Sequence, residues 1–394
     1  MLLEDLDTEP MYINIGPIHP ATHGTYRIFC RLQGETVEKA AVEIGFLHRG
    51  FEKMVEIKPY GQVIPYTDRL NYCSALVNNV AFCKTVERML DLTVPERTQY
   101  IRVIIMEIQR IMDHMICLGA ALVDLGALTN YWYFFNAREK LNDVIEALTG
   151  ARLTYSYVRI GGLAWDLPTG FESNVNASLK TVRKAIHDVT RLVKRNRIFL
   201  DRTIGVGATS GEEAVSFGFT GPCLRASGVP HDLRKARPYY HYDELDFDIP
   251  IGQNGDCYDR IFVRIEEMHQ SLRIIEQALK KLPGGPINVD DKRVTLPPKG
   301  KVHGTMEGLI NHFKLVIEGV QPPPCEIYDS LEAPNGELGF YIISNGSSTP
   351  YRIKVRPPCF YTMNGLKRLI EGGMVADIVA VLPGLNVIAG ELDR

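Results

Sequence analysis

Residues 97–128 read RTQYIRVIIMEIQRIMDHMICLGAALVDLGAL, and this stretch decides the fold. Apolar residues stand at Ile101, Ile104, Ile105, Ile108, Ile111, Met112 and Met115, the i, i+3, i+4, i+7 spacing of a helix. The stripe is wide, which predicts a helix lying deep in the protein. Other helices are predicted around it. They are 136–150 (NAREKLNDVIEALTG, closed by Gly150), 176–200 (NASLKTVRKAIHDVTRLVKRNRIFL), 259–282 (stopped by PGGP) and 304–318.

Strand signals lie toward the two ends. Residues 11–46 alternate apolar and polar positions (MYINI, TYRIFCRL, VEKAAVEIGF), which predicts a small antiparallel sheet. Its first two strands are joined by GPIHPATHG, residues 16–24. GELGFYIISNGSSTPYRIKVRPP (336–358) predicts a hairpin with NGSS as its turn. The expected class is α+β, a helical core with small antiparallel sheets at both ends. Along the chain this gives a β-rich segment 1–65, a helical core 66–320 and an α+β segment 321–394.

The chain has 394 residues, 45% hydrophobic and 23% charged, with a formal net charge of −3. Such a composition folds into a substantial core, and the slight acidity argues against nucleic acid as a partner. The opening MLLEDLDTEP is acidic and lacks the apolar stretch of a secretory signal. The longest nearly uncharged run, 115–128, is interrupted by Asp124 and is shorter than the ~20 residues a membrane helix needs. Eight cysteines are scattered without a CxxC pair, so neither a disulfide framework nor a metal site held by this chain alone is expected.

GPIHPATHG is poorly suited to a helix. Pro17 and Pro20 fix φ and bias their predecessors toward extended backbone, so His19 and His23 sit on a stiff loop. That loop is either a turn with two satisfied histidines or a rigid holder for an imidazole. GFLHRGFEKMVEIK (45–58) has Glu52 four residues before Glu56 and Arg49 four before Lys53. Like charges at that spacing give no helical support, which points to partners elsewhere in the chain. YTDRLNYC (66–73) places Asp68, Arg69 and Tyr72 where a loop meets a helix. Asp124 is an acid in an apolar helical run, to be paired, hydrogen-bonded to backbone or protonated.

Together with RIGG (159–162), SGVPHDLRKARPYYHYDE (227–244) and the ending GELDR, these blocks resemble the 49-kDa-type (D) subunit of respiratory complex I, the proton-pumping NADH:quinone oxidoreductase. The resemblance runs from about residue 11 to 394. It extends to the related large subunit of nickel–iron hydrogenases, which holds its metal with two cysteine pairs. Here Asn71 and Ser74 stand at one pair of positions, Ile388 and Glu391 at the other. The resemblance implies that a quinone cavity replaces the metal.

It also implies roles. His23 resembles the histidine contacting one quinone carbonyl, Tyr72 the tyrosine at the other side of the headgroup, and Asp124 the acid paired with the histidine. Arg49 and Arg69 resemble residues close to a 4Fe–4S cluster held by the neighbouring B-type subunit. Thr154 stands where relatives commonly carry a histidine beside that cluster. The implied assembly adds a C-type (30-kDa-type), an I-type ferredoxin-like and an H-type membrane subunit. The chain is then a peripheral protein on the cytoplasmic side of the bacterial inner membrane, with no cofactor of its own and no activity in isolation. Two further readings stay open: the same subunit in a complex fed by ferredoxin or another donor, and a metal-free hydrogenase-like scaffold.

Overall fold

The computed structural model describes residues 9–394, so the acidic opening 1–8 lies outside the described residues. An antiparallel sheet comes first: β1 (Met11–Ile15), β2 (Arg27–Gln33) and β3 (Thr36–Glu43), in that order. Ile28, Cys30 and Leu32 of β2 point inward while Phe29 faces out, as the pleat requires. A bulge opposite Arg31 and Leu32 changes the phase of β3, so that Val37 and Ala40 are buried and Glu38 pairs with Arg31.

Short helices α1 (Phe51–Val55) and α2 (Tyr60–Thr67) lead into the helical centre of α3 (Ala75–Met89), α4 (Glu96–Asp124) and α5 (Leu128–Thr149). A minimal ladder, β4 (Val158–Arg159) with β5 (Gly162–Leu163), precedes α6 (Phe171–Val193) and α7 (Arg197–Thr203). Three short helices follow, α8 (Gly211–Ser216), α9 (Gly221–Ala226) and α10 (Leu233–Ala236), then the long α11 (Cys257–Lys281). After α12 (Lys299–Gly304) and α13 (Met306–Ile317), a second antiparallel sheet forms from β6 (Cys325–Ala333), β7 (Gly336–Ser344) and β8 (Arg352–Arg356). The chain then runs through α14 (Pro358–Asn364), α15 (Leu366–Ile370), α16 (Val375–Leu385) and α17 (Ala389–Asp393).

The helix that opened the reading is the centre of the molecule. α4 packs against α3, α5, α11 and α16, and polar residues on its other faces are buried as well. Arg102 makes two 2.7 Å bonds to Glu87 of α3, Arg110 and Arg234 share Glu107, and His114 meets Glu267 of α11 at 2.8 Å. Each of these buried groups has a partner, as the cost of leaving one unpaired demands.

Several predicted elements differ in extent. α5 begins at Leu128 rather than 136. The single helix over 176–200 is two, because the Asn196 side chain accepts the Phe199 N–H at 3.2 Å and caps a new start. β6 adds a third strand to the predicted hairpin, its acids paired inward: Asp329 with Lys84, and Glu332 with Arg225.

Among the described residues there are two apolar cores. One fills the helical centre and reaches the inner face of the second sheet. The other lies between the first sheet and the last helices, joining Ile28 and Leu32 to Leu366, Val381, Leu385 and Leu392. That second core carries the site.

Candidate functional site

The loop between β1 and β2 is stapled at both ends. Gly16 has φ +95°, and a Cβ there would meet the Tyr26 carbonyl oxygen at 2.1 Å, so the chain doubles back where only glycine fits. Pro20–Thr22 form a single 3-10 turn. The His19 ring caps it, Nδ1 accepting the Ala21 N–H at 3.2 Å. The buried Tyr26 hydroxyl donates to the Thr22 carbonyl. His23 follows in the left-handed region, φ 51°. The two histidines are thereby separated: His19 shapes the loop and His23 projects from its end.

His23 lines a cavity of about 120 Å³ together with Tyr72. Thr22 joins His23 from the loop, and Cys73 joins Tyr72 from the 3-10 turn Tyr72–Ser74. Ile116, Cys117 and Ala120 of α4 form the back. Leu382 and Pro383 of α16, with Asn386, Val387 and Ile388 beyond it, close the far side. The cavity is a mostly apolar slot with an imidazole and a phenol at its rim, the composition of a small-molecule site. The expected pair of residues thus shares one cavity.

Asp124, the last residue of α4, lies beside His23 with Oδ2 2.9 Å from Nε2. The two groups are at ion-pair distance, although the ring N–H does not point straight along the line between them. Tyr72 is 39% exposed. Partial burial, then the nearby Cys73, Asp113 and Cys359, push its phenol above the ordinary tyrosine value, so it keeps its proton until a strong base forms beside it.

Arg49 and Arg69 are neighbours: an Arg49 Nη donates to the Arg69 carbonyl at 2.9 Å and to that of Gly390 at 3.2 Å. The segment carrying Thr154 is tied to the same region, since Ser156 donates from Oγ (2.6 Å) and N (3.2 Å) to Asp68. Thr154 and Ser156 both have positive φ, 55° and 45°, an uncommon state for any residue but glycine, most of all for the β-branched Thr154, and a mark of a constrained loop. The charges of residues 45–58 find the distant partners their spacing called for: Glu56 meets Arg352 at 3.1 Å, and Glu52 lies near Lys354 and Arg394.

Behind the cavity is a polar layer whose extent sequence reasoning did not anticipate. Each oxygen of buried Asp113 accepts an amide N–H, from Asn71 at 2.8 Å and from Asn386 at 2.9 Å. Asn386 also donates to Asn335 at 2.6 Å, and the Cys359 thiol donates to Glu391 at 2.6 Å. Asn71, Ser74, Ile388 and Glu391 are all buried. The signal available was that these four positions had already been singled out as a replaced ligand set. Among the described residues no three His, Cys, Asp or Glu side chains are grouped as a metal ion would need, and none of the described helices is long and apolar enough to cross a membrane.

Comparison with known proteins agrees with this architecture. The family model described as respiratory-chain NADH dehydrogenase, 49 Kd subunit, matches residues 124–394. A D-type subunit of NADH-quinone oxidoreductase from Sorangium cellulosum is 53% identical over 391 residues, covering 99% of this chain and 97% of that protein. A combined C/D-type subunit of the same oxidoreductase from Bdellovibrio bacteriovorus is 53% identical over 389 residues, 99% of this chain and 70% of the relative. The D-type subunit from Pelobacter propionicus is 48% identical over 393 residues, 100% of this chain and 98% of the relative.

Proposed function

The chain belongs to the 49-kDa subunit family of respiratory-chain NADH dehydrogenases, and from that premise we propose that its His23–Tyr72 cavity takes the headgroup of a quinone and supplies protons for its reduction. The observation that carries the reading is the sharing of one cavity by His23 and Tyr72, with Asp124 against the histidine. Quinone reduction to quinol needs two electrons and two protons. A headgroup in the slot has an imidazole at one side and a phenol at the other, each able to donate to a carbonyl oxygen. Asp124 lies against the imidazole at ion-pair distance. The Tyr72 phenol gives up its proton only as negative charge builds on the quinone oxygen.

Electrons reach the slot from a 4Fe–4S cluster on a B-type neighbour. The face where Arg49, Arg69 and the Thr154 segment converge is the side we assign to that neighbour. The guanidinium groups there favour an added electron on the cluster. The B-type neighbour also completes the slot, whose 120 Å³ is small for a headgroup. The double C/D designation of the Bdellovibrio relative supports a C-type neighbour. I-type and H-type subunits complete the surroundings, and the complex sits on the cytoplasmic face of the inner membrane. The exposed apolar face of α13, with Met306, Phe313 and Ile317, suits a chain that packs against neighbours. The donor, NADH or ferredoxin, binds elsewhere and leaves no mark on this chain.

The test is turnover of the assembled complex with a short-chain quinone after H23A and Y72F. Both variants are expected to assemble and to lose turnover. Retained turnover in both overturns the reading in favour of a metal-free scaffold.

A further inference from the structure

Glu391 has no part in the chemistry so far, yet its surroundings are unusual for a carboxyl group. It is fully buried. One oxygen receives the Cys359 thiol, and the other is buried with no hydrogen-bond partner. Asp113, the second acid of the same layer, receives an amide N–H on each oxygen. Two carboxylates so close cannot both be charged at low cost, and the hydrogen bonds decide between them. Asp113 has donors for a full negative charge. Glu391 has the Cys359 thiol on one oxygen and no partner on the other, so burial favours its protonated form.

The charged and titratable groups facing it are few. Asp113 comes from α4, Cys359 from α14, Cys73 from the 3-10 turn and Arg356 from β8, while Arg49 engages the Gly390 carbonyl alongside. Tyr26, under the loop, feels Cys359 as well as Asp124. Burial first, then Asp113, push the Glu391 carboxyl up to about 7; the Cys359 hydrogen bond, Arg356 and the Asn335 amide act the other way. The Tyr72 phenol feels Asp113 and Cys359 in turn. The layer therefore couples the phenol at the cavity rim to the acid behind it.

We propose that Glu391 is the proton store of the cavity, a neutral acid at rest that reprotonates Tyr72 after the phenol has given its proton to the reduced quinone. The step moves one proton and no electron: the Glu391 O–H breaks, the Tyr72 phenolate becomes phenol, and Glu391 stays a carboxylate until a solvent proton restores it. This inference rests on the quinone reading of the cavity and assigns Glu391 as a positioning and proton-holding residue, since it does not touch the headgroup.

The test uses the purified complex with a short-chain ubiquinone across pH, comparing E391Q, C359A and Y72F with the parent. Parent turnover is expected to fall as pH rises through about 7. E391Q is expected to lose tenfold or more at the acid end and to lack that fall. C359A removes the thiol donor and is expected to move the fall to higher pH. Reaction-induced infrared difference spectra are expected to show a protonated-carboxyl C=O band that disappears in E391Q and shifts in C359A. A parent-like pH profile in E391Q, or a band indifferent to both substitutions, overturns the proton store. If E391Q does not assemble, the C359A profile and band decide alone. Full turnover in Y72F overturns the proton store, since no phenol is left to reprotonate, and joined to full turnover in H23A it overturns the quinone reading as well; a parent-like E391Q profile beside impaired Y72F and H23A overturns the proton store alone, so the two failures are distinguishable.

Discussion

His23 Nε2 lies 2.9 Å from Asp124 Oδ2, which joins a loop histidine to the last residue of the central helix. A carboxylate at a helix C-terminus stands at the negative end of the dipole, where a cationic neighbour is most needed. D124N keeps the shape and removes the charge. It is expected to lower quinone turnover of the assembled complex by about 10-fold or more, within the range of a misoriented general acid. Steady-state kinetics check this, and unchanged turnover assigns the pair a purely structural role.

Thr154 has a hydroxyl that donates to the Leu153 carbonyl at 2.7 Å and a side chain that does not titrate. The midpoint potential of the cluster proposed on the B-type neighbour is therefore expected to vary little with pH. T154H is expected to introduce a slope. Potentiometric titration followed by electron paramagnetic resonance reads it directly. A parent slope near 59 mV per pH unit, roughly the one-electron, one-proton value, contradicts the expectation.

Glu391 also makes a stability prediction. Its carboxyl titrates near 4.5 when unfolded and at about 7 when folded, so the folded state binds more protons between those values. The contribution is fully present below the unfolded value and is lost as pH rises through the folded one. The loss is about 3 kcal/mol at most. Urea unfolding of the full chain between pH of about 5 and about 8 should show this fall, and E391Q should flatten it. An equal slope in the variant assigns the pH dependence to other groups.

The buried pair of Arg102 and Glu87 offers a check on the helical centre. R102M leaves Glu87 charged and buried, which costs roughly 3–5 kcal/mol. Replacing both, R102M with E87M, is expected to recover most of it. Additive losses in denaturant unfolding, with no recovery in the double variant, contradict a direct coupling of the two charges; a residual loss in the double variant belongs to Tyr240 and the Gly161 N–H, which share the pair.

Much of the fold was legible because its signals were local. The stripe from Ile101 to Met115 named the central helix, and alternation named β2. What escaped was set by tertiary pairing. Asn196 capped a new helix inside a continuous amphipathic pattern. β6 did not read as a strand because its acids, Asp329 and Glu332, are buried against Lys84 and Arg225. For the site, the sequence separated His23 from His19, and the structure brings His23 to Tyr72. It did not foretell that Asn335, Cys359 and Asn386 would stand between two acids, since nothing in spacing relates residues so far apart.

The way the site is stitched together bears on how it is made. Asp393 receives the N–H groups of Gly45 and Leu47, and its carbonyl meets His48, 345 residues earlier in the chain. While the chain is being synthesised, the first sheet therefore leaves the ribosome with Ile28, Cys30 and Leu32 uncovered. It stays so until residues 375–393 have been made and α16 and α17 can cover it. An interrupted chain has no cavity and carries a sticky apolar face, which marks it for chaperones or degradation. Completing the cavity and hiding that face are one event, so a chain that can join its complex is also one that has been read to residue 393.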